Sequence, residues 1–435
     1  MHYRTIARAF ALALSLLAAQ AQAQVRGTIT GPGERSFPVA VAPLQNVSGG
    51  GVTDVGARFA DILARDLMLS GFFRVIDRSA YIEKPDGSGT TADSINFANW
   101  SVIGALALVK GTVEISGDKV VVEARLFDVY QRRQMTGRRY HGSPSNVRRM
   151  AHRFADEVLK HLTGERGPFD SRIAFISTRS GRFKELYVMS LDGGDTQQLT
   201  SHRAIVLSPS WAQDGRNLFF TSYRRRNPDL YRLDLLSGRE AQISSRRGLN
   251  LGGRPSPDGS SIAMTVEEQG NSDIVLLSPS GSLNKRLTDS WAIDVSPTWS
   301  PDGNRIAFCS SRSGAPQIYV MNADGSDVQR ITTSGNYNTA PAWSPKGDKI
   351  AYVAREGGQF NVYVINADGS DARRLTTAGN NEDPSWSPDG RYLVFSSTRS
   401  GSRKLWLSDA SGASQLQLTE GGGDDSSPAW SNWLE

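Results

Sequence analysis

The sequence contains a single cysteine, Cys309, among its 435 residues. One thiol cannot build an internal disulfide framework, a CxxC metal site or a dithiol redox pair. The sequence also lacks a Gly-x-Ser-x-Gly nucleophile elbow and a phosphate-binding loop. Its five histidines do not have the spacing of metal ligands; they are His2, His141, His152, His161 and His202. We interpret His152 and His161 as solvated positions of a helix. We therefore expect a protein that is not an enzyme.

Positive charge is not concentrated in one region. Lys and Arg outnumber Asp and Glu by only 49 to 44, and paired arginines are scattered along the chain. Proteins that bind nucleic acid gather basic residues on one face, so this distribution argues against such a function.

A long hydrophobic run is also missing. The apolar stretch at 9–19 follows Arg4 and Arg8 and is shorter than the ~20 residues that cross a bilayer. It ends in Ala21-Gln22-Ala23, a small-x-small pattern typical of a cleaved export signal. We therefore expect a signal peptide over 1–23, a mature chain from Gln24, and a periplasmic location. Since no cysteine follows the stretch, the pattern argues against a lipid anchor.

Residues 24–163 mix helical and strand periodicities. Apolar residues at three- and four-residue steps after Asp54, and again after Ser145, predict two amphipathic helices. A Gly-Asp turn at 117–118 predicts a hairpin. The pattern indicates an α+β domain with one mixed or antiparallel sheet and an N-terminal arm at 24–33. Residues 164–171 show no periodicity, and we interpret them as a linker.

From residue 172 onward, a motif of the form Pro-x-Trp-Ser-Pro-Asp-Gly recurs every 43 or 44 residues. Four strands of ~5–6 residues with short connections fill such a repeat. A four-stranded sheet of this size cannot bury both faces alone, so neighbouring repeats must stack. Six residues occupy the tryptophan position: Trp211, Pro255, Trp299, Trp343, Trp386 and Trp430.

The ends of the repeat region indicate how the stack closes. The first repeat begins directly at its second strand, Arg172–Phe175, whereas the chain ends with a spare first strand, Pro428–Ser431. Pairing these two strands would leave no exposed sheet edge at the ends of the stack. We therefore predict a six-bladed β-propeller over 172–435. We expect the tryptophans to fill the space between blades and Cys309 to be a buried, inert thiol.

Acidic residues occupy two kinds of position. Single aspartates precede glycine in four turns, and we interpret them as turn residues, since calcium needs several oxygen ligands; they are Asp214, Asp258, Asp302 and Asp389. A second group is expected to precede the first strands of adjacent blades and to form a solvated acidic rim at one mouth of the channel. It consists of Glu382, Asp383, Asp424 and Asp425. Calcium in the channel is an open alternative to a solvated rim.

Three predicted segments follow one another along the chain. They are an export signal, an α+β domain containing Ala107-Leu108-Val109-Lys110-Gly111, and six blades with a lone final strand. In this order the chain resembles the TolB family, the periplasmic component of Tol–Pal systems, over residues 24–435. It departs from the family pattern at Pro255, where an aromatic residue is usual, and at Lys346, which replaces a turn aspartate. The resemblance implies a monomeric, non-enzymatic adaptor that maintains outer-membrane integrity and constriction during cell division.

The resemblance also implies two binding regions. The start of the mature chain would contact TolA as an extended strand; its residues are Gln24, Val25, Arg26, Gly27, Thr28, Ile29 and Thr30. The propeller mouth would receive the lipoprotein Pal, and some colicins would use the same surface. The residues expected there are Leu249, Asn250, Leu251, Arg254, Asp294, Val295, Ser296, Tyr337, Asn338, Thr339, Glu382 and Asp383.

Two other functions are open, because propellers host unrelated activities. One is a secreted propeller-type hydrolase or peptidase, which turnover dependent on the mouth carboxylates would favour. The other is a glycan-binding module, which binding of peptidoglycan fragments in the absence of Pal would favour.

Overall fold

The computed structural model describes residues 36–47, 51–84 and 87–434. The predicted signal peptide (1–23) and the predicted arm (24–33) lie outside these residues. None of the helices in the described ranges has both the length and the apolar character that crossing a membrane requires.

The first domain is a mixed sheet covered by helices. The helices are α1 (Asp54–Leu69), α2 (Phe97–Val102) and α3 (Val147–Thr163), with 3-10 turns at Arg78–Ala80 and Pro144–Asn146. The strands are β1 (Phe37–Val41), β2 (Gln45–Asn46), β3 (Phe73–Val75), β4 (Ala107–Ser116), β5 (Lys119–Asp128) and β6 (Arg133–Gly142). The sheet order is β3-β1-β4-β5-β6, with β2 beside β4. Strand β1 runs parallel to β3 and β4, whereas β4, β5 and β6 are antiparallel.

Local hydrogen bonds set the ends of the helices. Thr53, not Asp54, caps α1, because its Oγ1 accepts a hydrogen bond from the Gly56 amide at 3.1 Å. Asp54 is instead the first helical residue, where a negative charge favours the helix dipole. Helix α3 begins at Val147, two residues after the predicted start at Ser145, because Pro144–Asn146 form a 3-10 turn.

The second domain consists of six four-stranded antiparallel sheets. Blade 1 contains β7 (Arg172–Ser177), β8 (Glu185–Ser190) and β9 (Gln197–Gln198), and blade 2 contains β10 (Val206–Trp211), β11 (Asn217–Arg225), β12 (Asn227–Asp234) and β13 (Arg239–Ser244). Blade 3 contains β14 (Asn250–Pro255), β15 (Ile262–Glu268), β16 (Asn271–Leu277) and β17 (Leu283–Arg286), and blade 4 contains β18 (Asp294–Trp299), β19 (Arg305–Ser310), β20 (Gln317–Asn322) and β21 (Gln329–Arg330). Blade 5 contains β22 (Asn338–Trp343), β23 (Lys349–Glu356), β24 (Gln359–Asn366) and β25 (Arg373–Arg374), and blade 6 contains β26 (Asn381–Trp386), β27 (Tyr392–Ser400), β28 (Ser402–Asp409) and β29 (Gln415–Gln417). The final strand, β30 (Asp425–Trp430), is the innermost strand of blade 1.

Strand β30 closes the ring by pairing with β7. The antiparallel register places Asp425 opposite Ser177 and Trp430 opposite Ile173. We call this pairing of β30 with β7 the ring seam. The Arg172 amide donates a hydrogen bond to Ser431 Oγ at 2.9 Å and extends the ring seam by one contact. The predicted six-bladed propeller, closed by the C-terminal strand after an α+β domain, is confirmed.

The two domains share one core. A single cluster of buried apolar residues includes Phe59 of α1 and Phe154 of α3 together with Tyr187 of blade 1 and Tyr392 of blade 6. The segment predicted as a linker (164–171) is packed at its end, where Phe169 is buried and its amide donates a hydrogen bond to the Asp156 carboxylate at 2.9 Å. The first domain is therefore held against blades 1 and 6 by burial as well as by the chain.

Candidate functional site

The first strands of the six blades contact one another around the central channel. Each contains a bulge, where the register with the second strand shifts. One residue in each bulge has φ between 47° and 66°; these residues are Ser208, Gly252, Ser296, Ala340, Asp383 and Ser427. A bulge re-aims the side chains that follow it, and here it separates two ends of the channel. We call the end formed by the loops between successive blades the mouth, and the opposite end, where the tryptophans lie, the indole end.

The mouth exposes large apolar side chains. Trp291, in the loop that leads to β18, is 78% exposed, and Ile293 is 56% exposed. The Tyr337 ring lies 6.0 Å from the Phe360 ring, measured between centroids, and adds an aromatic surface at the neighbouring blade. Among the predicted mouth residues, Ser296 is exposed, and a further set is half-buried: Leu249, Leu251, Val295, Tyr337, Thr339, Glu382 and Asp383. Such a mixture of exposed aromatic and aliphatic groups is typical of protein-binding surfaces.

Three predicted contact residues instead organise the loops. Asn250, Asp294 and Asn338 begin their strands, and their side chains are buried. The Asn250 carboxamide donates a hydrogen bond to the Arg246 carbonyl oxygen at 2.7 Å, while Asp294 forms an ion pair with Arg312 at 3.0 Å. We correct their assignment as direct contacts, because the first position of each inner strand points into its own blade.

Arg254 was also predicted at the mouth, and this position is wrong. It lies near the end of β14, beside Pro255, and lines the cavity at the indole end. Strand β14 extends from Asn250 to Pro255 and runs along the channel. Arg254 follows the bulge of this strand, so it lies beyond the bulge and away from the mouth.

The predicted acidic rim is not a free cluster of carboxylates. Glu382, Asp383 and Asp425 lie within inner strands and do not precede them. Each has a partner: Glu382 pairs with Arg403, Asp425 with Arg179, and Asp383 accepts a hydrogen bond from Ser427 Oγ at 2.9 Å. Asp424, the fourth member, is exposed and accepts a hydrogen bond from the Arg403 amide at 3.0 Å.

These residues do not fit calcium. Calcium takes six to eight oxygen ligands, whereas the described ranges hold no group of three or more metal-binding side chains. Burial raises the pKa of Asp383, which favours its neutral form, and Arg254 is close enough for its positive charge to interact with this carboxylate. A cation would therefore meet a carboxylate whose charged form is disfavoured by burial, and an opposing guanidinium.

The Asp-Gly turn aspartates have the predicted structural role. Asp214 Oδ1 accepts hydrogen bonds from the amides of Arg216 and Asn217, both at 2.9 Å. Asp258 accepts from Ser260 and Ser256 in the same way, and these bonds lower its pKa to about 2. Each of the four carboxylates therefore accepts hydrogen bonds within its own turn, although Asp389 Oδ2 is buried without a partner in the described part of the chain.

Six indoles, the five of the repeated motif and that of Trp433, line the cavity at the indole end together with a set of proline rings; its volume is about 1030 Å³. Trp343, Trp386 and Trp430 are buried, while Trp211 and Trp299 are half-buried. Their Nε1 groups are held internally; for example, Trp211 Nε1 donates to the Ala429 carbonyl oxygen and Trp299 Nε1 to the Arg254 carbonyl oxygen, each at 2.9 Å. Three of the indoles, those of Trp211, Trp299 and Trp386, thus join neighbouring blades by a hydrogen bond.

A serine–histidine–glutamate arrangement occurs in blade 2. His202 Nδ1 lies 2.8 Å from Ser222 Oγ, and His202 Nε2 lies 3.0 Å from Glu240 Oε1. Ser222 is fully buried, so its hydroxyl cannot reach a substrate. The same Ser-x-Arg sequence recurs in blades 1, 4 and 6, where Ser177, Ser310 and Ser397 bond to Arg179, Arg312 and Arg399. The arrangement is therefore a repeated structural cluster, not a catalytic one.

Sequence reasoning missed a buried polar cluster between the domains. His152, interpreted from the sequence as a solvated helix residue, is buried, and its Nδ1 lies 2.7 Å from Asp66 Oδ2. Its Nε2 lies 3.8 Å from Asp192 of blade 1. Burial raises the pKa of Asp66 to about 6, and the Asp66 carboxylate outweighs the burial of His152 and raises the pKa of His152. The sequence contains one signal of this burial, the helical spacing: His152 stands two residues before Phe154 and three before Ala155, both of which are buried. The partner that makes the burial of His152 favourable is evident only in the folded structure.

Comparisons with known proteins place both domains in one family. A family model described as the TolB amino-terminal domain matches residues 26–135, and one described as the TolB beta propeller domain matches residues 159–434. The Tol-Pal system protein TolB of Syntrophotalea carbinolica is 45% identical over 207 residues, which are 48% of this chain and 47% of that protein. The Desulfosudis oleivorans protein of the same name is 42% identical over 195 residues, 45% of this chain and 44% of its own. The chain thus spans about half the length of the curated relatives it matches.

A solved structure extends the similarity to most of the chain. The crystal structure of TolB from Acinetobacter baumannii aligns with a TM-score of 0.81 and 27% sequence identity. The alignment covers 93% of this chain and 98% of that one.

Proposed function

This chain belongs to the TolB family, and on that premise we propose that it is a non-enzymatic, periplasmic adaptor of a Tol–Pal system. In this proposal the propeller mouth binds the peptidoglycan-associated lipoprotein Pal, and the arm at Gln24–Thr30 binds TolA. By linking partners of the two membranes, the protein would maintain outer-membrane integrity and assist constriction during cell division.

The exposed apolar pair at the mouth supports the Pal site most strongly. Trp291 is 78% exposed and Ile293 is 56% exposed, although both lie in a loop that is fixed at its base. The Ile293 amide donates a hydrogen bond to Ser311 Oγ at 2.9 Å, and the Ser311 amide donates to the Ile293 carbonyl oxygen at 3.1 Å. A pre-organised loop that presents a tryptophan has the character of an interface hot spot, since little ordering is needed on binding.

The first domain packs against the side of the propeller at blades 1 and 6. The first domain contacts the start of β27, where Tyr392 Oη donates a hydrogen bond to the Ser70 carbonyl oxygen at 2.8 Å, and this strand begins at the indole end. We propose that a partner at the mouth and a partner of the arm bind without competing for one surface. As the mechanism, we propose that the arm exchanges between free and docked states and that occupancy of the mouth shifts this exchange.

Affinity capture of purified Pal and TolA tests both sites separately. We expect deletion of 24–30 to abolish TolA capture and leave Pal capture intact. The double variant Trp291→Ser, Ile293→Ser should do the reverse. Loss of both partners in either variant would refute the separation of the two sites.

A matched control is available at the other end of the propeller. Leu236 is also 78% exposed but lies in the turn after β12, away from the mouth. Leu236→Ser removes an equally exposed apolar side chain and should capture both partners like the unmodified protein. If it lost Pal as strongly as the mouth variant does, general surface apolarity, and not the mouth, would explain the binding.

A further inference from the structure

The cavity at the indole end has a positive wall that the proposed function does not use. Among the described residues that line it, the charged ones are Arg153, Arg166, Arg254 and Asp170. Asp170 is already engaged, since one of its oxygens lies 3.0 Å from Arg149 Nε. Arg153 and Arg166 also lie near carboxylates, at 3.9 Å from Asp170 and 3.5 Å from Asp156. Arg254 is therefore the arginine of this cavity of about 1030 Å³ that forms no ion pair within the described ranges.

Arg254 is the charged member of a ring in which the other blades have small residues. The equivalent positions, one before each tryptophan position, all line the cavity: Ser210, Arg254, Thr298, Ala342, Ser385 and Ala429. Blade 3 departs twice from the repeat, because Arg254 replaces a small residue and Pro255 replaces the indole. A proline ring is smaller than an indole, so blade 3 has less side-chain volume at this position than the blades that carry tryptophan.

The Arg254 guanidinium has no hydrogen bond or ion pair within 36–47, 51–84 and 87–434, although its backbone is fixed by Trp299. Burial lowers the pKa of Arg254, and the Asp383 carboxylate opposes this change without reaching it as an ion pair. An arginine in a channel is normally satisfied by a carboxylate or a phosphate in a forked contact. Thr298, the next member of the ring, carries a half-buried hydroxyl that is likewise without a hydrogen bond in the described part of the chain.

We propose that the indole end of the channel binds a small organic carboxylate, with its carboxylate on Arg254 and its apolar body against the tryptophan and proline rings. A monoanion suits a single guanidinium assisted by a neutral hydroxyl better than a doubly charged phosphate does. The indole Nε1 groups already donate hydrogen bonds within the protein, to carbonyl oxygens or, for Trp430, to Ser171 Oγ, so the indoles contribute ring surface and not donors. This site is separate from the mouth, and it does not depend on the Pal or TolA proposals.

Ligand-observed saturation-transfer NMR tests the proposal with two probes of the same shape, 3-phenylpropionate and its neutral amide, 3-phenylpropionamide. The unmodified protein should bind the carboxylate about tenfold more tightly than the amide. Arg254→Gln should remove this preference, and Arg254→Lys should retain part of it. Arg239→Gln, an exposed arginine of the outermost strand β13, is the matched control and should retain the full preference.

Three results would overturn the proposal. They are equal binding of the two probes, an undiminished preference in Arg254→Gln, and no binding of the carboxylate up to about 10 mM, a concentration that detects even weak ligands. Thermal unfolding of each variant accompanies the titrations. Because Arg254 has no ion pair among the described residues, Arg254→Gln should unfold at the same temperature as the unmodified protein or higher.

Discussion

The hydroxyl of Tyr392 in blade 6 donates a hydrogen bond to the Ser70 carbonyl oxygen in the first domain, at 2.8 Å and between buried groups. Ser70 follows helix α1, so the bond fixes the end of that helix to the propeller. It stands within the apolar cluster common to both domains. The bond therefore contributes to the stability of the contact between the two domains.

Tyr392→Phe should lower the free energy of unfolding by about 1–2 kcal/mol, because the Ser70 carbonyl oxygen would stay buried without a donor. Both domains should still unfold in one transition, measured by denaturant titration with circular dichroism and tryptophan fluorescence. Tyr352→Phe is the control, since Tyr352 is also buried but its hydroxyl has no hydrogen bond within the described ranges. Equal losses in the two variants would contradict the role of the interdomain bond.

The ring seam makes a second prediction. Asp425 is fully buried and bonds to Arg179 at 2.9 Å and to Ser177 at 2.6 Å across the seam between β30 and β7. Asp425→Ala should cost about 3 kcal/mol in the free energy of unfolding, because it leaves Arg179 without its partner. Its exposed neighbour offers the control: Asp424→Ala should cost less than about 1 kcal/mol. If both substitutions cost the same, the seam would not depend on this ion pair.

Asp156 predicts a pH dependence of stability. Burial raises the pKa of Asp156 from 3.8 to about 7, although the amides of Phe169 and Asp170 and the charge of Arg166 oppose it. The folded protein then holds a proton that the unfolded chain releases near pH 4. This group's contribution to stability is therefore fully present below about pH 4 and is lost as the pH rises to about 7, at up to about 1.4 kcal/mol per pH unit.

Asp156→Asn removes this titration. We compare the free energies of unfolding of the variant and the unmodified protein by denaturant titration at pH 5 and pH 8. The difference, variant minus unmodified protein, should be more positive at pH 8 than at pH 5 by more than about 1 kcal/mol. Any cost of replacing an acceptor oxygen by an amide group is the same at both values and cancels in the comparison. Asp93→Asn, at an exposed position, should show no such gain. An identical pH dependence in Asp156→Asn and the unmodified protein would contradict the raised pKa.

Calcium provides a further test of the channel. The carboxylates of Glu382, Asp383 and Asp425 are already engaged by Arg403, Ser427 and Arg179. We therefore expect calcium at about 1 mM to leave the unfolding temperature unchanged. Addition of a chelator should have no effect either. A calcium-dependent rise of several degrees that disappears in Asp383→Asn would contradict this account of the channel.

The sequence could predict the propeller because its evidence is periodic. Residues at the tryptophan position recur every 43 or 44 residues and give the number of blades, and the spare strand at Pro428–Ser431 indicates how the ring closes. Periodicity places a residue in its strand, but it does not say how far through the channel the strand carries it. For that reason Arg254 was predicted at the wrong end.

The burial of polar residues could not be predicted from the sequence either. Asn250 and Asn338 are ordinary loop residues by composition, and their burial depends on hydrogen bonds that form only when the loop folds over them. His152 needed a partner 86 residues away, Asp66, before its burial could be favourable. Such pairs follow from tertiary packing, which local patterns do not encode.

Calorimetric titration of Pal into the mature protein tests the central claim, that the mouth is the binding surface. Trp291→Ala should weaken binding at least about tenfold, as removal of an exposed hot-spot tryptophan does. Leu236→Ala, equally exposed at the other end of the propeller, should bind like the unmodified protein. Undiminished binding by Trp291→Ala, with Ile293→Ala equally unaffected, would contradict the account.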